Sequence, residues 1–478
     1  MSSLVSTGAA PNLAALHGLQ HGGDIPCTGD RPPGWHALKV VRDVDDAFRR
    51  TVGPRDRSHA SGDKEHSVYN PWPYGPRVGA ILSLLAVLAV PLSPLCAFTV
   101  VNLNLLNGLT CTLPGPGDGH QCRVRDRIAL LLQHLVAAGC PDLVTFQEHV
   151  TQAFVPQRTA TGAFVLVGPL DDTVALLEEG LPTLAAACGF PYKVVFDPAA
   201  RRGVPTLGRG IDEELILTRY PVLTSEVLPL YSPLTPFFFR HVLYARIAHP
   251  LGPLDVFTTH LAAHSDLATA ACGFQDPRVP APFTAPACPA PTCGAHETVR
   301  ECQAKQVAAF VEARHQGPAP AIIAGDLNAE PDSKEYREFT SRGWLDSHRA
   351  AGHRECEPRT GEHCTAGRSD KHLQDLESPA LHQHKRIDYI FVVPPRAGAP
   401  YPGVPQAAGA AGTRSGRFAA QPNPFAPACG AAPLPICWPS DHSGTALTLC
   451  CPGPRSDLHG DGTGADAACA LDQACVSP

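Results

Sequence analysis

The sequence predicts an α/β domain, and three observations support this class. Apolar segments with the length of buried strands recur along the chain, including residues 98–105, 142–148 and 321–325. The segment 127–138 carries apolar residues at helical spacing between the first two of these strands. Strand, helix, strand is the repeating unit of α/β domains. The 478 residues, 44% of them hydrophobic, are sufficient for a large core.

One stretch, AIIAGDLNAEP at residues 321–331, combines a predicted buried strand with polar residues at its end. Asp326 and Asn328 are two residues apart, so on an extended chain their side chains lie on the same face. A carboxylate can hold a divalent cation or orient water, and an amide can donate to a phosphate oxygen. We interpret Gly325 as a point where the backbone turns sharply. An isolated Gly-Asp-x-Asn is equally compatible with an ordinary turn, so the interpretation depends on partners elsewhere in the chain.

The same arrangement, a strand with a polar residue at its boundary, recurs in other parts of the chain. The residues concerned are Asn104, Glu148, His260, Asp388, and Asp441 with His442. Together with the stretch 321–331, these residues form six blocks over roughly residues 98–449. Six blocks in this order resemble the endonuclease/exonuclease/phosphatase superfamily, and the whole set is far more specific than any one block. The resemblance is nearest to secreted sphingomyelinase-like members.

This resemblance implies both a fold and a reaction. The fold is a four-layer α/β sandwich, in which two mixed β-sheets pack face to face with helices outside. The reaction is metal-dependent phosphoester hydrolysis, with Mg2+, or another divalent cation such as Ca2+ or Mn2+, as the cofactor. The metal ligands implied are Glu148, with Asn104 beside it, and Asp441. Oxygen ligands of this kind suit hard cations.

The resemblance also assigns catalytic roles to five residues. His442 activates the attacking water and is oriented by Asp388, because a carboxylate raises the basicity of an imidazole. His260 donates to the phosphate or to the leaving group, and Asp326 and Asn328 complete the clamp around the phosphate. A strand-end histidine alone is more often structural, so these roles depend on the whole set.

The segment 210–222 departs from the family pattern, because acids stand where many members have small residues. In DNase-like members an acid near this point orients the first catalytic histidine, so Asp212 or Glu213 are candidates for orienting His260. Solvated turn charge is the alternative interpretation for these acids.

The composition bears on the substrate, for which the resemblance leaves three classes open: the phosphodiester of a nucleic acid, that of a phospholipid, and a small soluble phosphoester. The formal net charge of −7 argues mildly against a nuclease that wraps a duplex. A secreted DNase-like nuclease would need a basic groove, for which the local candidates are Arg201, Arg202, Arg209, Arg240 and Arg246. A sphingomyelinase-like enzyme could use the aromatic triplet 237–239 to touch lipid, although such a triplet entering a strand is more often core. An inactive binding module is the non-enzymatic alternative. No protein partner is indicated, and we expect a monomer.

Eighteen cysteines without a CxxC pair are typical of a disulfide-bonded protein outside the cytosol. Cys111 and Cys122 flank a short loop and are expected to pair. The insert 262–298 is expected to be a disulfide-held loop at the mouth of the site. Residues 350–384 are rich in histidine, but their spacings match no common zinc pattern, so a solvated loop is favoured.

The two ends of the chain differ from its centre. Residues 1–77 show no periodic pattern and are expected to be disordered, or to result from an over-extended start of translation. Arg77 directly precedes residues 78–97, which combine an apolar run with a small-residue exit, and this arrangement is typical of a signal peptide. A membrane anchor formed by residues 79–92 is the alternative. The catalytic domain then spans 98–449, and a cysteine-containing tail spans 450–478.

Overall fold

The computed structural model describes residues 97–108, 111, 120–151, 155–158, 164–167, 171–197, 211–233, 240–250, 252–263, 267–275, 286–315, 317, 319–368, 373–395 and 413–450. The predictions for residues 1–77, for the signal or anchor before residue 97 and for the tail after residue 450 lie outside these residues. No helix within the described ranges is long and apolar enough to cross a bilayer.

The described elements include both strands and helices along the whole catalytic region. The strands are β1 (Ala97–Asn104), β2 (Leu143–Val150), β3 (Val155–Arg158), β4 (Phe164–Val167), β5 (Lys193–Phe196), β6 (Ile211–Thr218), β7 (Val222–Pro229), β8 (His241–His249), β9 (Gly252–His260), β10 (Ala321–Asp326), β11 (Leu345–Asp346), β12 (Asp388–Val393), β13 (Thr413–Phe418) and β14 (Gly444–Cys450). The α-helices are α1 (Val124–Ala137), α2 (Thr173–Cys188), α3 (Val299–Arg314), α4 (Lys334–Thr340), α5 (Ser347–Ala350) and α6 (Leu373–Glu377).

Two six-stranded sheets contain most of these strands. The first sheet has the order β13-β14-β1-β2-β6-β5, and the second has the order β11-β12-β10-β9-β8-β7. Each sheet is mixed, with one parallel pair at its centre: β1 with β2, and β9 with β10. A helix connects the strands of each parallel pair, α1 in the first sheet and α3 in the second. Both halves are therefore built around one strand-helix-strand unit.

Three hydrophobic clusters show how the layers pack. Leu131 of α1 and Leu177 of α2 pack against Phe146 of the first sheet. The helices α3 and α4 pack in the same way against the outer face of the second sheet. A third cluster joins the inner faces of the two sheets, with Val100 and Ile322 among its members. The prediction of a four-layer α/β sandwich is therefore confirmed.

Gly325 is extended and lies within β10, so the prediction of a sharp turn at this residue was wrong. It pairs with Thr259 of β9, and a Cβ at Gly325 would lie 2.0 Å from the Thr259 carbonyl oxygen. The glycine is needed because β9 and β10 approach so closely at this point. Its effect is to hold Asp326 beside His260, one residue further along both strands.

The chain between residues 395 and 435 contains a strand that the sequence analysis missed. β13 lies in a segment rich in Pro, Gly and Ala, a composition that is more typical of loops than of strands. It pairs antiparallel with β14 at the edge of the first sheet, so its main-chain pairing, not its hydrophobic pattern, defines it.

Six disulfides lie within the described residues. Cys111 and Cys122 pair with each other, as predicted. The other bridges are Cys140–Cys188, Cys272–Cys288, Cys293–Cys302, Cys356–Cys364 and Cys429–Cys437. Two of these fasten the insert after His260, as its composition indicated.

Candidate active site

Three of the predicted catalytic residues lie side by side across the second sheet. In the strand register, Asp326 of β10 is opposite His260 of β9 on one side and Asp388 of β12 on the other. The Nε2 of His260 is 3.5 Å from Oδ2 of Asp326. All three side chains are buried. The sheet backbone therefore fixes their spacing, independently of any loop.

The first sheet contributes Asn104 and Glu148 to the same place. The Nδ2 of Asn104 donates to Oε1 of Glu148 at 2.8 Å and to Oδ2 of Asp326 at 3.2 Å. This amide thus joins the two sheets at the site. Its carbonyl oxygen accepts from the backbone N–H of Leu106 at 2.9 Å, so Asn104 holds the two carboxylates beside each other in this conformation.

A local irregularity turns Glu148 toward the site. The pairing of β2 with β6 shifts register between Phe146 and His149, and Glu148 has a positive φ of 59°. A regular strand would place side chains on alternating faces without this displacement. The second carboxylate oxygen of Glu148 accepts from the backbone N–H of Asn107 at 3.0 Å.

His442 and Asp388 form a hydrogen-bonded pair. The Nδ1 of His442 lies 2.9 Å from Oδ2 of Asp388, so this nitrogen carries the hydrogen and donates it. The Nε2 of His442 lies 3.8 Å from Oδ2 of Asp326 and 3.9 Å from Oδ2 of Asp441. Burial lowers the pKa of His442, but the carboxylates of Asp388 and Asp441 outweigh burial and hold this pKa well above its usual value.

The two aspartates beside His442 differ in their electrostatic setting. Burial raises the pKa of Asp388 above its usual value; His442 opposes this effect and Asp326 reinforces it. Burial also acts to raise the pKa of Asp326, but the imidazoles of His260 and His442 and the hydrogen bonds that Asp326 accepts lower it overall. Asp326 is therefore the carboxylate that this environment keeps ionised.

The loop before β14 holds His442 through residues that the sequence analysis did not single out. The hydroxyl of Ser440 donates to the Asn104 carbonyl at 2.5 Å and accepts from the His442 N–H at 3.1 Å. Arg127, which is almost fully buried, donates to the carbonyls of Leu106 and Pro439 at 3.0 and 3.2 Å. These contacts tie the Asn104 segment to the His442 loop.

Asn328 lies beside His260, as its place in the central stretch implied. Its φ is 48°, and its backbone N–H donates to Oδ1 of Asp326 at 2.7 Å. Its Nδ2 lies 2.9 Å from Nε2 of His260 and 3.0 Å from the Leu261 carbonyl. Asparagine tolerates a positive φ better than most residues, so the turn after β10 can present this amide to the site.

The acidic segment reaches His260 through a residue that was not predicted. Glu214 accepts from the backbone N–H of His260 at 2.9 Å. Glu213 lies 3.1 Å from Nε2 of His241, and Glu214 also contacts that nitrogen. Burial lowers the pKa of His241, but the two carboxylates raise it to about 9. The side chain of Asp212 lies outside the described residues.

Ligating atoms of Asp326, Asp388 and His442 all lie within 4.8 Å of one another. Carboxylate oxygens dominate this region, because Glu148 and Asp441 also contribute, and oxygen donors fit Mg2+, Ca2+ or Mn2+. The Oδ1 of Asp388 is buried without a hydrogen-bond partner, and a buried atom of this kind is satisfied by a cation or by water. The residues present therefore fit a divalent cation, held by a set that includes Asp326 as well as the predicted ligands.

Within the described residues, two other clusters of metal-ligating residue types lie outside this site. The sulfur atoms of Cys272, Cys288, Cys293 and Cys302 lie within 4.8 Å of one another, but they form two disulfides. The rings of His348, His353 and His363 lie 5.0 to 5.4 Å apart between centroids. His348, which lies just before the segment 350–384, is buried, and burial lowers its pKa to about 4. His353 and His363 of that segment are half-buried against it and are not fully solvated as predicted.

A family model described as "Endonuclease/Exonuclease/phosphatase family" matches residues 102–442. This range includes Asn104, His442 and all the other predicted site residues. No curated protein sequence gives a significant match to the chain.

Several solved structures are similar to this chain at low identity. Humanized TDP2 of D. rerio is 16% identical, covers 74% of this chain and 98% of its own, and has a TM-score of 0.41. D. rerio TDP2 complexed with a single-strand DNA product is 18% identical with the same two coverages and a TM-score of 0.40. A mannosyl-6-phosphatase of Bacteroides thetaiotaomicron is 15% identical, covers 73% of this chain and 98% of its own, and has a TM-score of 0.40.

Proposed function

The chain belongs to the endonuclease/exonuclease/phosphatase family, and we propose that it is a metal-dependent phosphodiesterase in which His442 and Asp388 activate water. One observation carries the proposal: the 2.9 Å pair of His442 Nδ1 with Asp388 leaves Nε2 directed toward Asp326 and Asp441. A divalent cation on the neighbouring carboxylates would offset the negative charge that raises the pKa of His442. With the hydrogen held on Nδ1, the lone pair of the neutral imidazole is then on Nε2. That nitrogen can then accept a proton from an attacking water.

Glu148, Asp326 and Asp441 would hold the divalent cation, and Asn104 would keep the first two together. When bound, the cation neutralises charge on the phosphoryl oxygens. His260 and Asn328 lie on the other side of Asp326, where an N–H of each can donate to a phosphate oxygen. His260 is also placed to donate toward the departing oxygen. The chain thus supplies a base on one side of Asp326 and donors on the other.

We also propose that the protein acts outside the cytosol as a monomer. The six disulfides support the location, because such bridges persist in oxidising compartments. A signal peptide at residues 78–97 would supply the route, with an anchor formed by residues 79–92 as its alternative.

The substrate is the finer part of this proposal, and nucleic acid and phospholipid are its two classes. Of the five arginines considered for a basic groove, only Arg240 and Arg246 lie in the described ranges. Arg240 contacts His260, and Arg246 lies 3.9 Å from Asp255. The triplet 237–239 and the other three arginines lie outside those ranges. Both classes therefore enter the test.

The experiment measures hydrolysis of plasmid DNA and of sphingomyelin by the full chain, with Mg2+ and with a chelator. We expect activity that the chelator removes. His442→Ala and Glu148→Ala should each lower the rate by about 10²-fold or more, since each removes a group that acts on the reacting atoms. His363→Ala, a partly exposed histidine outside the site, is the matched control and should retain activity. An active His442→Ala protein would overturn the mechanism.

The products then identify the substrate class. Cleaved DNA would make the protein a DNase-like nuclease, whereas release of a phosphorylated headgroup would make it a sphingomyelinase-like lipid phosphodiesterase. Metal binding without hydrolysis of either substrate, or of a small soluble phosphoester, would contradict the enzymatic proposal and favour a binding module.

A further inference from the structure

The structure gives His260 and His442 partners of opposite charge, and this difference carries a further inference, which rests on the role of His260 in the proposed function. We propose that Arg240 is a positioning residue that fixes His260 in the tautomer with its hydrogen on Nε2. In that tautomer His260 is a hydrogen-bond donor toward the substrate, whereas His442 is an acceptor.

Arg240 is placed for this role by the hairpin of β7 and β8. It comes directly before β8, and its carbonyl accepts from the Leu230 N–H at 2.7 Å, which continues the pairing of the two strands. Its side chain is only 4% exposed. The Nη1 of Arg240 lies 2.6 Å from Nδ1 of His260. A guanidinium has no acceptor atom, so Nδ1 must accept this hydrogen bond.

The contact of Asn328 with Nε2 of His260 also bears on the tautomer of this histidine. Its Nδ2 lies 2.9 Å from Nε2 of His260, so two donors face a ring that has one lone pair when neutral. One of the two donors must turn away. The guanidinium cannot do so, because all its polar atoms are donors, but an amide has an oxygen, and its two ends are hard to distinguish from shape alone. A turned Asn328 would accept through Oδ1 from an Nε2–H of His260, at the cost of the hydrogen bond that Nδ2 donates to the Leu261 carbonyl at 3.0 Å.

The comparison with His442 shows how the partner of Nδ1 determines which ring nitrogen carries the hydrogen. There, a carboxylate at Nδ1 leaves the lone pair on Nε2, which suits a base. At His260, a guanidinium at Nδ1 leaves the hydrogen on Nε2, which lies 3.5 Å from Asp326 and suits a donor to a phosphate or leaving oxygen. The two histidines lie on opposite sides of Asp326. The partner of Nδ1, a carboxylate at His442 and a guanidinium at His260, makes Nε2 an acceptor in the first and a donor in the second.

The first test measures the tautomer directly and needs no substrate. The full chain labelled with [15N]histidine is compared by long-range 1H–15N correlation at pH 8, and His260→Gln identifies the signals of His260. We expect an Nε2–H tautomer in the parent protein and in Arg240→Lys, which keeps a donor. Arg240→Met, which keeps the length but removes the donor, should move His260 toward the other tautomer. Arg246→Met, in the strand that follows Arg240, is the matched control and should leave the tautomer of His260 unchanged.

An Nδ1–H tautomer or an imidazolium in the parent protein would overturn the inference, and so would an Arg240→Met protein that keeps the Nε2–H form. If Arg240→Met does not fold, Arg240→Leu, which also removes the donor and is apolar, takes its place and should move His260 toward the same tautomer. A protein that shows the expected tautomers but hydrolyses no phosphoester would contradict the proposed function and leave this inference intact.

The second test separates positioning from direct contact with the phosphate. We expect Arg240→Met to lower kcat about tenfold or more, with a smaller change in KM, and Arg240→Lys to restore most of the rate. In a His260→Ala background, Arg240→Met should cause no further loss, because the arginine acts through the histidine. Losses that multiply would show that Arg240 acts on the substrate independently and would overturn the positioning role.

Discussion

His134 illustrates at the residue scale how burial controls a titratable side chain. It lies in α1, and its ring packs edge-on against Phe418 and Phe425 at 5.9 and 5.0 Å between centroids. Its Nε2 is buried without a hydrogen-bond partner. Burial lowers the pKa of His134 to about 4, because nothing nearby compensates the charged form.

This pKa predicts a loss of stability in acid. An unfolded chain binds a proton at His134 below pH 6.5, whereas the folded chain does so only near pH 4. The contribution of this residue to stability is thus complete above pH 6.5 and is lost between pH 6.5 and 4, by about 3 kcal/mol. His134→Leu should reduce the pH dependence of urea unfolding in this window. An unchanged dependence would mean that His134 is protonated in the folded protein.

The residue scale is also where the sequence was least informative. The side chains with distinctive chemistry at strand ends, such as Asp326, His260 and His442, could be chosen from their pattern. Glu214 and Ser440 could not, because each acts through a backbone contact with a distant segment and neither residue type is unusual in its position. Arg240 was noted only as a candidate for a basic groove, since sequence alone does not show which side chain meets Nδ1 of His260.

At the element scale, the pairing of β9 with β10 depends on Gly325. We expect Gly325→Ala to lower the free energy of unfolding by about 3 kcal/mol or more, since its Cβ would overlap the Thr259 carbonyl and the backbone must move. It should also reduce activity, because Asp326 and His260 follow directly in both strands. Gly416→Ala, in β13 with no atom within 4 Å of the added Cβ, is the control. Equal effects of the two substitutions would contradict this account.

The stability of helix α3 depends on the hydrogen bonds that cap its first turn. Thr298 caps α3 by accepting from the Glu301 N–H at 3.1 Å, and the Glu301 carboxylate accepts from the Thr298 N–H at 2.8 Å. Thr298→Ala should cost about 1 kcal/mol of unfolding free energy, and Thr298→Ser should cost much less because the hydroxyl remains. Chemical denaturation of both variants measures this difference, and an equal loss in the two would contradict the capping role.

Most elements with a strong hydrophobic pattern were predictable, while those defined by pairing were not. The helix at residues 127–138 and the strand at 321–325 correspond to α1 and β10, with boundaries displaced by a few residues. β13 escaped prediction because its residues have low strand propensity and main-chain bonds to β14 define it. The role of Gly325 was misjudged for a related reason: the carbonyl that requires a glycine belongs to another strand.

At the scale of the whole molecule, the site exists because two sheets meet. Asn104 and Glu148 come from the first sheet, and Asp326, His260 and Asp388 come from the second. The order of these residues along the chain was sufficient to predict the family and its four layers. It was not sufficient to predict which atoms meet across the sheets, such as Asn104 with Asp326, because that depends on packing between segments 222 residues apart.

The disulfides allow the contribution of distant connections to be measured. Cys140–Cys188 joins the chain just after α1 to the last residue of α2 across 48 residues, and the segment it encloses includes β2 and Glu148. Cys356–Cys364 encloses only 8 residues. In the chain-entropy model, losing the first bridge costs about 4 kcal/mol and losing the second about 2.5 kcal/mol, because the longer loop restricts the unfolded chain more.

We therefore expect the pair Cys140→Ser and Cys188→Ser to destabilise the protein more than the pair Cys356→Ser and Cys364→Ser. Thermal unfolding of both double variants without reductant measures the difference, and the parent protein unfolded with reductant should fall below both. An equal loss in the two variants would show that the bridges act through native packing and not through the unfolded chain. A loss of activity confined to the first variant would further show that this bridge holds the β2 segment that supplies Glu148.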